Sequence, residues 1–273
     1  MTNQQIFIII GTGNRPILID VTYKENKKGK RVVVFSHGFK GFKDWGAFNQ
    51  IAETFAENNF VFVKFNFSHN GTTSSDPIDF VDLKAFGNNN FCKELDDLGF
   101  VLDWVEENFI NAEIYLFGHS RGGGISMLKT AEENRISKVV SWASPSDFTN
   151  KIPKERIALW KEKGVAFVYN GRTKQNMPMY FQFYENCIAN KDRIDIKKAV
   201  ESIKIPQLII HGSDDPTVKL EEAENLKKWN PYAQLHIIKG ADHVLGAFHP
   251  YDLQEFPAHL REAIDETMAF LKK

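Results

Sequence analysis

The sequence predicts an α/β protein built on a mostly parallel central β-sheet of about eight strands, with helices on its faces. Apolar runs such as RVVVFS and FVFVKF lack polar alternation, which is typical of strands buried on both faces. These runs alternate with amphipathic segments, and that order favours parallel strands joined by crossover helices. The 273 residues, 42% of them hydrophobic, predict one large domain over residues 1–273.

The elements follow in order from the amino terminus. The apolar runs Ile6–Ile10 and Ile17–Tyr23 flank a turn rich in glycine and predict an opening antiparallel hairpin. Further strands are predicted in RVVVFSHG, FVFVKFNF, EIYLFG, KVVSWASP, IPQLIIHG and AQLHIIKG. Helices are predicted in WGAFNQIAETFAEN, ELDDLGFVLDWVEENF, Gly122–Glu133, LEEAENLKKW and Leu253–Leu271.

One segment interrupts this alternation. Between Pro145 and Pro206 the chain is far longer than a crossover helix requires. PKERIALWKEKG predicts a helix with Pro153 in its first turn and Gly164 at its end. GVAFVYNGRTKQNMPMYFQFY predicts two strands around a polar turn. We expect residues 146–205 to form a small lid inserted into the domain, since the segment is too short to build a core of its own.

Composition argues against several classes of partner. The formal net charge is −1, with 34 basic and 35 acidic residues, so no nucleic-acid partner is expected. The basic stretch KENKKGKR is interpreted as a solvated hairpin loop. Cys92 and Cys187 lack metal-ligand spacing, so no metal is expected; the pair could form one disulfide, but we expect two reduced thiols in a reducing compartment. No signal peptide and no run of ~20 apolar residues is present, which predicts a cytoplasmic protein without a membrane partner.

The motif Gly118-His119-Ser120-Arg121-Gly122 lies between a predicted strand and a predicted helix. This G-x-S-x-G arrangement is typical of a sharp turn that projects a serine hydroxyl from the sheet as a nucleophile. The alternative is a tight turn with an idle serine. Because a serine hydroxyl is a poor nucleophile at neutral pH, the catalytic interpretation requires a base nearby.

His243, in GADHVL after the strand AQLHIIKG, is the predicted base. His249 is its main rival, whereas His236 lies within the strand and is assigned a structural role. The acid that orients the imidazole is expected in HGSDDPTV, which offers Asp214 and Asp215. At this stage either aspartate could point at the base.

Two backbone amides are the predicted oxyanion donors. One belongs to Arg121, directly after the nucleophile, and the other to Phe39, in the loop that follows RVVVFS. His37-Gly38 could also be an ordinary turn at the end of a strand.

Together these motifs resemble those of serine hydrolases of the α/β-hydrolase superfamily. Four motifs occur in that family's order over nearly the whole chain: the loop with His37-Gly38-Phe39, then GHSRGG, HGSDDPTV and GADH. The family pattern G-x-x-D-x-x-V, matched onto Gly212 to Val218, implies Asp215 as the acid, and the family's base position falls on His243. The inserted segment is similar to the small lid of feruloyl and cinnamoyl esterases.

The resemblance implies hydrolysis of small to medium acyl or aryl esters through an acyl-enzyme, with no cofactor. His119 and the aromatic residues Tyr180, Phe181 and Phe183 of the insertion are predicted to line the substrate pocket. The alternative for those aromatic residues is that they only fix the lid to the domain. A serine peptidase or aminoacyl hydrolase acting on short peptides, and a non-catalytic binding module, are the alternative functions. A homodimer is left open.

Overall fold

The structure is a computed structural model that describes residues 2–24, 31–149 and 153–273. The strands are β1 Thr2–Ile10, β2 Pro16–Lys24, β3 Arg31–Ser36, β4 Val61–Phe65, β5 Glu113–His119, β6 Ile136–Trp142, β7 Val165–Asn170, β8 Gln175–Tyr180, β9 Gln207–Gly212 and β10 Gln234–Ile238. An eight-stranded sheet has the order β1-β2-β4-β3-β5-β6-β9-β10, and β7 and β8 form a separate hairpin.

The sheet is parallel except at one edge. β1 pairs antiparallel with β2, as the opening hairpin predicted, and β2 pairs antiparallel with β4. All other neighbours in the sheet are parallel. The predicted α/β fold with a mostly parallel sheet of eight strands is therefore confirmed. Its parallel strands share one carboxyl edge, where connecting loops meet.

Helices cover both faces of the sheet. They are α1 Phe48–Glu57, α2 Leu83–Gly87, α3 Phe91–Asn108, α4 Arg121–Glu132, α5 Lys154–Lys163, α6 Gln182–Ala189, α7 Ile196–Ser202, α8 Leu220–Trp229 and α9 Ala258–Lys272. One apolar core lies between the sheet and α1 with α9, and the other includes residues of α3, α4, α7 and α8. No helix among the described residues is long and apolar enough to cross a membrane.

Two predicted boundaries are wrong. The last helix begins at Ala258 and not at Leu253, because Pro257 occupies the position before its first turn. The second strand of the insertion ends at Tyr180, and Phe183 lies on α6. Phe183 and Cys187 are four residues apart and are both buried, which is helical spacing and not strand alternation.

The insertion otherwise has the predicted local elements. α5 follows Pro153 and ends at Gly164, which adopts the left-handed conformation with φ 69°. β7 and β8 form the antiparallel pair around the polar turn. Residues 150–152, at the start of this segment, and residues 25–30 of the basic stretch lie outside the described residues.

A buried cluster of four charges lies beside β2 and β4. Its members are Asp20, Lys43, Asp44 and Lys64, and the Lys64 side chain is fully buried. Asp20 Oδ2 accepts from Lys43 Nζ at 2.6 Å and from Lys64 Nζ at 2.7 Å. Asp44 also accepts from both lysines. The cluster carries no net formal charge, and it fixes the loop after β3 against two strands.

Candidate active site

The predicted site residues meet at the carboxyl edge of the parallel strands. Phe39 follows β3, Ser120 follows β5, Asp215 follows β9 and His243 follows β10. These loops come from positions far apart in the chain, and the parallel order of the strands brings them together.

Ser120 occupies a strained turn between β5 and α4. Its φ is 55° and its ψ is −125°, in a region that side chains with a Cβ rarely adopt. Glycines make the turn possible, because a Cβ at Gly118 would overlap the Gly122 carbonyl and one at Gly122 would overlap the Ser36 carbonyl. The turn is held by the Ser120 amide, which donates to the Trp142 carbonyl at 2.8 Å.

Three side chains form a continuous hydrogen-bonded chain at this turn. His243 Nε2 lies 3.0 Å from Ser120 Oγ, and His243 Nδ1 lies 2.8 Å from Asp215 Oδ2. A carboxylate beside Nδ1 favours the tautomer with the proton on that atom, which leaves Nε2 free to accept the serine proton. The geometry suits a nucleophile, a base and an acid that orients the base.

The environment of Asp215 keeps this carboxylate ionised. Burial alone would raise its pKa, but the hydrogen bond from His243 and the amide of Val218 hold the pKa below its ordinary value. Asp215 Oδ1 accepts from the amides of Thr217 at 2.7 Å and Val218 at 2.9 Å. Asp215 therefore contacts the imidazole through Oδ2 and binds two loop amides through Oδ1.

Two further histidines support the loops of the site. His119 Nε2 donates to the carbonyl of His243 at 2.9 Å, and His211 Nε2 donates to the carbonyl of Val218 at 2.8 Å. Burial lowers the pKa of His119 to about 3 and also lowers that of His211, so both rings are neutral at pH 7. Sequence reasoning missed His211, although it directly precedes Gly212 in the motif that supplied Asp215.

The other histidines and the other aspartate considered as base or acid form hydrogen bonds with residues other than Ser120. His249 Nδ1 accepts from the amide of Gly46 at 3.0 Å. Asp214 Oδ1 accepts from Ser213 Oγ at 2.6 Å. His236 Nε2 lies 2.7 Å from Glu262 of α9. The structure therefore brings Asp215 and His243 to Ser120, and not these alternatives.

Of the two predicted oxyanion donors, Arg121 directly follows Ser120, and Phe39 directly follows Gly38, which lies close to Ser120. Within residues 2–24, 31–149 and 153–273, neither the Phe39 amide nor the Arg121 amide donates a hydrogen bond to another protein group. Gly38 permits the approach, since a Cβ there would lie 3.0 Å from the Cβ of Ser120. Unused amides beside a nucleophile are what a developing oxyanion requires.

The predicted pocket residues of the insertion pack mainly on protein. Tyr180 lies against Gly87 of α2. Phe181 contacts Trp160, with ring centroids 5.8 Å apart. Phe183 is buried against Phe91 of α3, at 5.0 Å. Their assignment to a substrate pocket stays a prediction.

Among the described residues, no group of three histidine, cysteine or acidic side chains could hold a metal ion.

The sheet topology and the strand-end residues define the class of α/β hydrolases. The family model described as "Serine aminopeptidase, S33" matches residues 27–177, more than half of the chain, so the chain belongs to that family. The protein is therefore a hydrolase.

Known proteins agree with this class. A protein of Mycoplasma pneumoniae named "Putative esterase/lipase 2" is 26% identical over 243 residues, covering 81% of this chain and 85% of its own. The ferulic acid complex of Est1E from Butyrivibrio proteoclasticus is 19% identical, with a TM-score of 0.75, over 98% of this chain and 100% of its own. DcsB in complex with its substrate analogue is 16% identical, with a TM-score of 0.77, over 99% of both chains. These two structures share the fold.

Proposed function

We propose that the protein hydrolyses carboxylic esters of small to medium acyl or aryl groups through an acyl-enzyme on Ser120. The observation that carries this proposal is the chain of hydrogen bonds from Asp215 through His243 to Ser120. The esterase-like relatives support ester hydrolysis in general. The ferulic acid bound to Est1E makes aryl acyl groups the first to test here.

The reaction has two steps. Ser120 Oγ attacks the ester carbonyl carbon while His243 Nε2 accepts the serine proton, and the amides of Phe39 and Arg121 bind the oxyanion. Collapse of this intermediate expels the alcohol, which takes the proton from His243. Water then attacks the acyl-enzyme while His243 Nε2 accepts a proton from it. Collapse of this second intermediate breaks the bond to Ser120 Oγ, releases the acid, and returns the proton from His243 to Ser120 Oγ. Asp215 stays ionised throughout and stabilises the imidazolium.

We also propose that residues 146–205 act as the lid over this site. The described part contacts loops of the carboxyl edge. Lys40, next to Phe39, donates to the carbonyl of Tyr169 on β7 at 3.1 Å. Arg172, in the hairpin turn, pairs with Asp79 at 2.9 Å. A lid in contact with the oxyanion loop is placed to select the substrate.

The nucleophile is tested with a fluorophosphonate probe and p-nitrophenyl acyl esters. We expect the wild type to be labelled once and to release a burst of p-nitrophenolate. Ser120→Ala should lose labelling and lower kcat by about 10⁴-fold or more. Ser68→Ala, which changes another buried serine, is the matched control and should keep both. Equal labelling of Ser120→Ala and the wild type would overturn the proposal.

A second candidate is hydrolysis of aminoacyl amides, because the matching family model is described as a serine aminopeptidase. The two activities share the same nucleophile and differ in the leaving group. Turnover of p-nitrophenyl esters should be compared with that of aminoacyl p-nitroanilides. A higher kcat/KM for the anilides would favour the peptidase function.

A hydroxycinnamate methyl ester series of varied acyl size then tests the aryl preference of the esterase function.

A further inference from the structure

The two proposed oxyanion donors are joined through their side chains. The guanidinium carbon of Arg121 lies 4.0 Å from the ring centroid of Phe39. The amide of Arg121 follows β5 and that of Phe39 follows β3, so separate loops supply the two donors. Both amides must be fixed to within about 0.5 Å to bind one oxyanion. A direct contact between these residues can set that distance.

The guanidinium is itself held on several sides. Its carbon lies 5.0 Å from the ring centroid of Phe91 on α3 and 5.8 Å from that of Phe183 on α6. Arg121 Nη1 donates to Glu94 Oε1 at 3.3 Å, and Asn89 Nδ2 donates to the same oxygen at 2.6 Å. The planar guanidinium can stack on rings and pair with a carboxylate at once, which a lysine ammonium cannot do.

Both side chains of the pair between Arg121 and Glu94 are largely shielded from water. The Glu94 side chain is 4% exposed and the Arg121 side chain is 14% exposed. Cation–π attraction is strongest where the cation is shielded from water. A buried carboxyl group has few other partners, so the hydrogen bond from Arg121 Nη1 to Glu94 restricts the orientation of the guanidinium.

We propose that the Arg121 side chain is a positioning residue for the oxyanion hole. Stacked on Phe39 and oriented by Glu94, it holds the Phe39 amide at its working distance from the Arg121 amide. This inference rests on the proposed function. Since Phe183 of α6 also covers the guanidinium, the same contact links the inserted segment to the oxyanion hole.

The test is a double-mutant cycle that leaves both backbone amides in place. Arg121→Met removes the guanidinium, Phe39→Leu removes the ring, and the double variant removes both. Removing one oxyanion donor outright costs about 10²–10³-fold in kcat, so displacing it should cost each single variant about 10- to 100-fold. KM for a p-nitrophenyl ester should stay within about threefold. The double variant should be no more than about threefold slower than the slower single variant, because the two groups act as a unit.

Two further variants separate positioning from folding. Arg121→Lys keeps the charge but should not restore kcat, since an ammonium cannot stack in the same plane. Arg193→Met is the matched control, because Arg193 also pairs with a carboxylate of α3, Asp96 at 2.7 Å, and does not contact Phe39. It should lower the urea midpoint without lowering kcat per labelled site.

Several outcomes would overturn the inference. Multiplicative losses in the double variant, an unchanged kcat in Arg121→Met, or an equal loss in Arg193→Met would each do so. If Arg121→Met does not fold, the cycle is run with Glu94→Gln and Phe39→Leu, and the same non-additive loss is expected. Failure of the proposed function looks different, because Ser120→Ala would then retain activity in an otherwise wild-type chain.

Discussion

Two groups of serine, histidine and aspartate lie at the carboxyl edge of this sheet. The first consists of Ser120, His243 and Asp215, and the second of Ser68, His69 and Asp97. In the first group the imidazole stands between the serine and the acid. In the second group Ser68 Oγ donates to Asp97 Oδ2 at 2.7 Å and lies 2.8 Å from His69 Nδ1. The serine therefore stands between the histidine and the acid.

This order changes what each group can do. The Ser68 hydroxyl has one hydrogen, which it donates in the hydrogen bond to Asp97, so its oxygen accepts the hydrogen bond from His69 Nδ1. Asp97 also accepts from the amides of Ser68 at 2.8 Å and Thr12 at 2.9 Å, which ties loops together. Burial raises the pKa of Asp97, whereas the pKa of Asp215 is lowered despite burial, with the hydrogen bond from His243 as the main cause. The order of the hydrogen bonds, and not the residue types, separates the group proposed to be catalytic from the group of Ser68, His69 and Asp97.

The largest contrast should appear in the activities of two aspartate-to-asparagine variants. Asp215→Asn should lower kcat by about 10³–10⁴-fold, because an amide favours the wrong tautomer of His243. Asp97→Asn should keep kcat within about threefold of the wild type. Ester turnover, normalised to the labelled fraction, measures both. Comparable losses in the two variants would remove the distinction between the groups.

Stability should show the reverse order. In Asp97→Asn the new amide nitrogen would face a donor in either orientation, the Thr12 amide at the position of Oδ1 or the two donors of Ser68 at the position of Oδ2, so a buried acceptor is replaced by a donor. We expect a loss of about 2–3 kcal/mol in the free energy of unfolding. Urea titration with tryptophan fluorescence checks it. A variant as stable as the wild type would show that Asp97 does not hold these loops.

The second group should also respond to acid. Burial lowers the pKa of His69 to about 4, below the usual value near 6.5. Between these values the unfolded chain binds a proton that the folded chain does not, so stability falls as the pH decreases from about 6.5 to about 4. One such group contributes up to about tenfold per pH unit in the unfolding constant. His69→Gln should show a shallower decrease in urea midpoints across this range, and an unchanged slope would contradict it.

The smallest effect is expected for Ser68→Ala. This variant removes the hydrogen bonds of Ser68 Oγ with Asp97 and with His69, while the Ser68 backbone amide still donates to the Asp97 carboxylate. A loss of about 1 kcal/mol in unfolding free energy is expected, with no change in kcat. The measurement is again urea titration, beside ester turnover. A fall in kcat would indicate that the second group takes part in catalysis.

The sequence predicted much of this molecule because its signals are local. Apolar runs without alternation marked the parallel strands, and the glycines around Ser120 marked the turn. The order of strand ends also indicated which loops meet and favoured His243 as the base, whereas the choice of Asp215 over Asp214 came from the resemblance to the α/β-hydrolase family pattern. The boundary error at Leu253 arose because apolar spacing alone does not fix the first turn of a helix, where Pro257 decides.

Other features depend on tertiary contacts, so no local sequence pattern predicts them. Glu94 on α3 meets Arg121 on α4 only after both helices pack on the same face of the sheet. Phe183 was assigned to a strand because its neighbours are aromatic, and the burial of Cys187 one turn later reveals the helix. The group of Ser68, His69 and Asp97 could not be predicted either, since Asp97 lies within an ordinary amphipathic helix.

The four-charge cluster beside β2 and β4 has a consequence for how this chain can change over time. Asp20, Lys43, Asp44 and Lys64 balance one another only as a set. Replacing any single member leaves an uncompensated buried charge, and breaking such a pair costs about 3–5 kcal/mol. A lineage therefore has few single-step routes away from this arrangement. Across descendants of this chain, we expect the four positions to vary together, as correlated substitutions, or not at all.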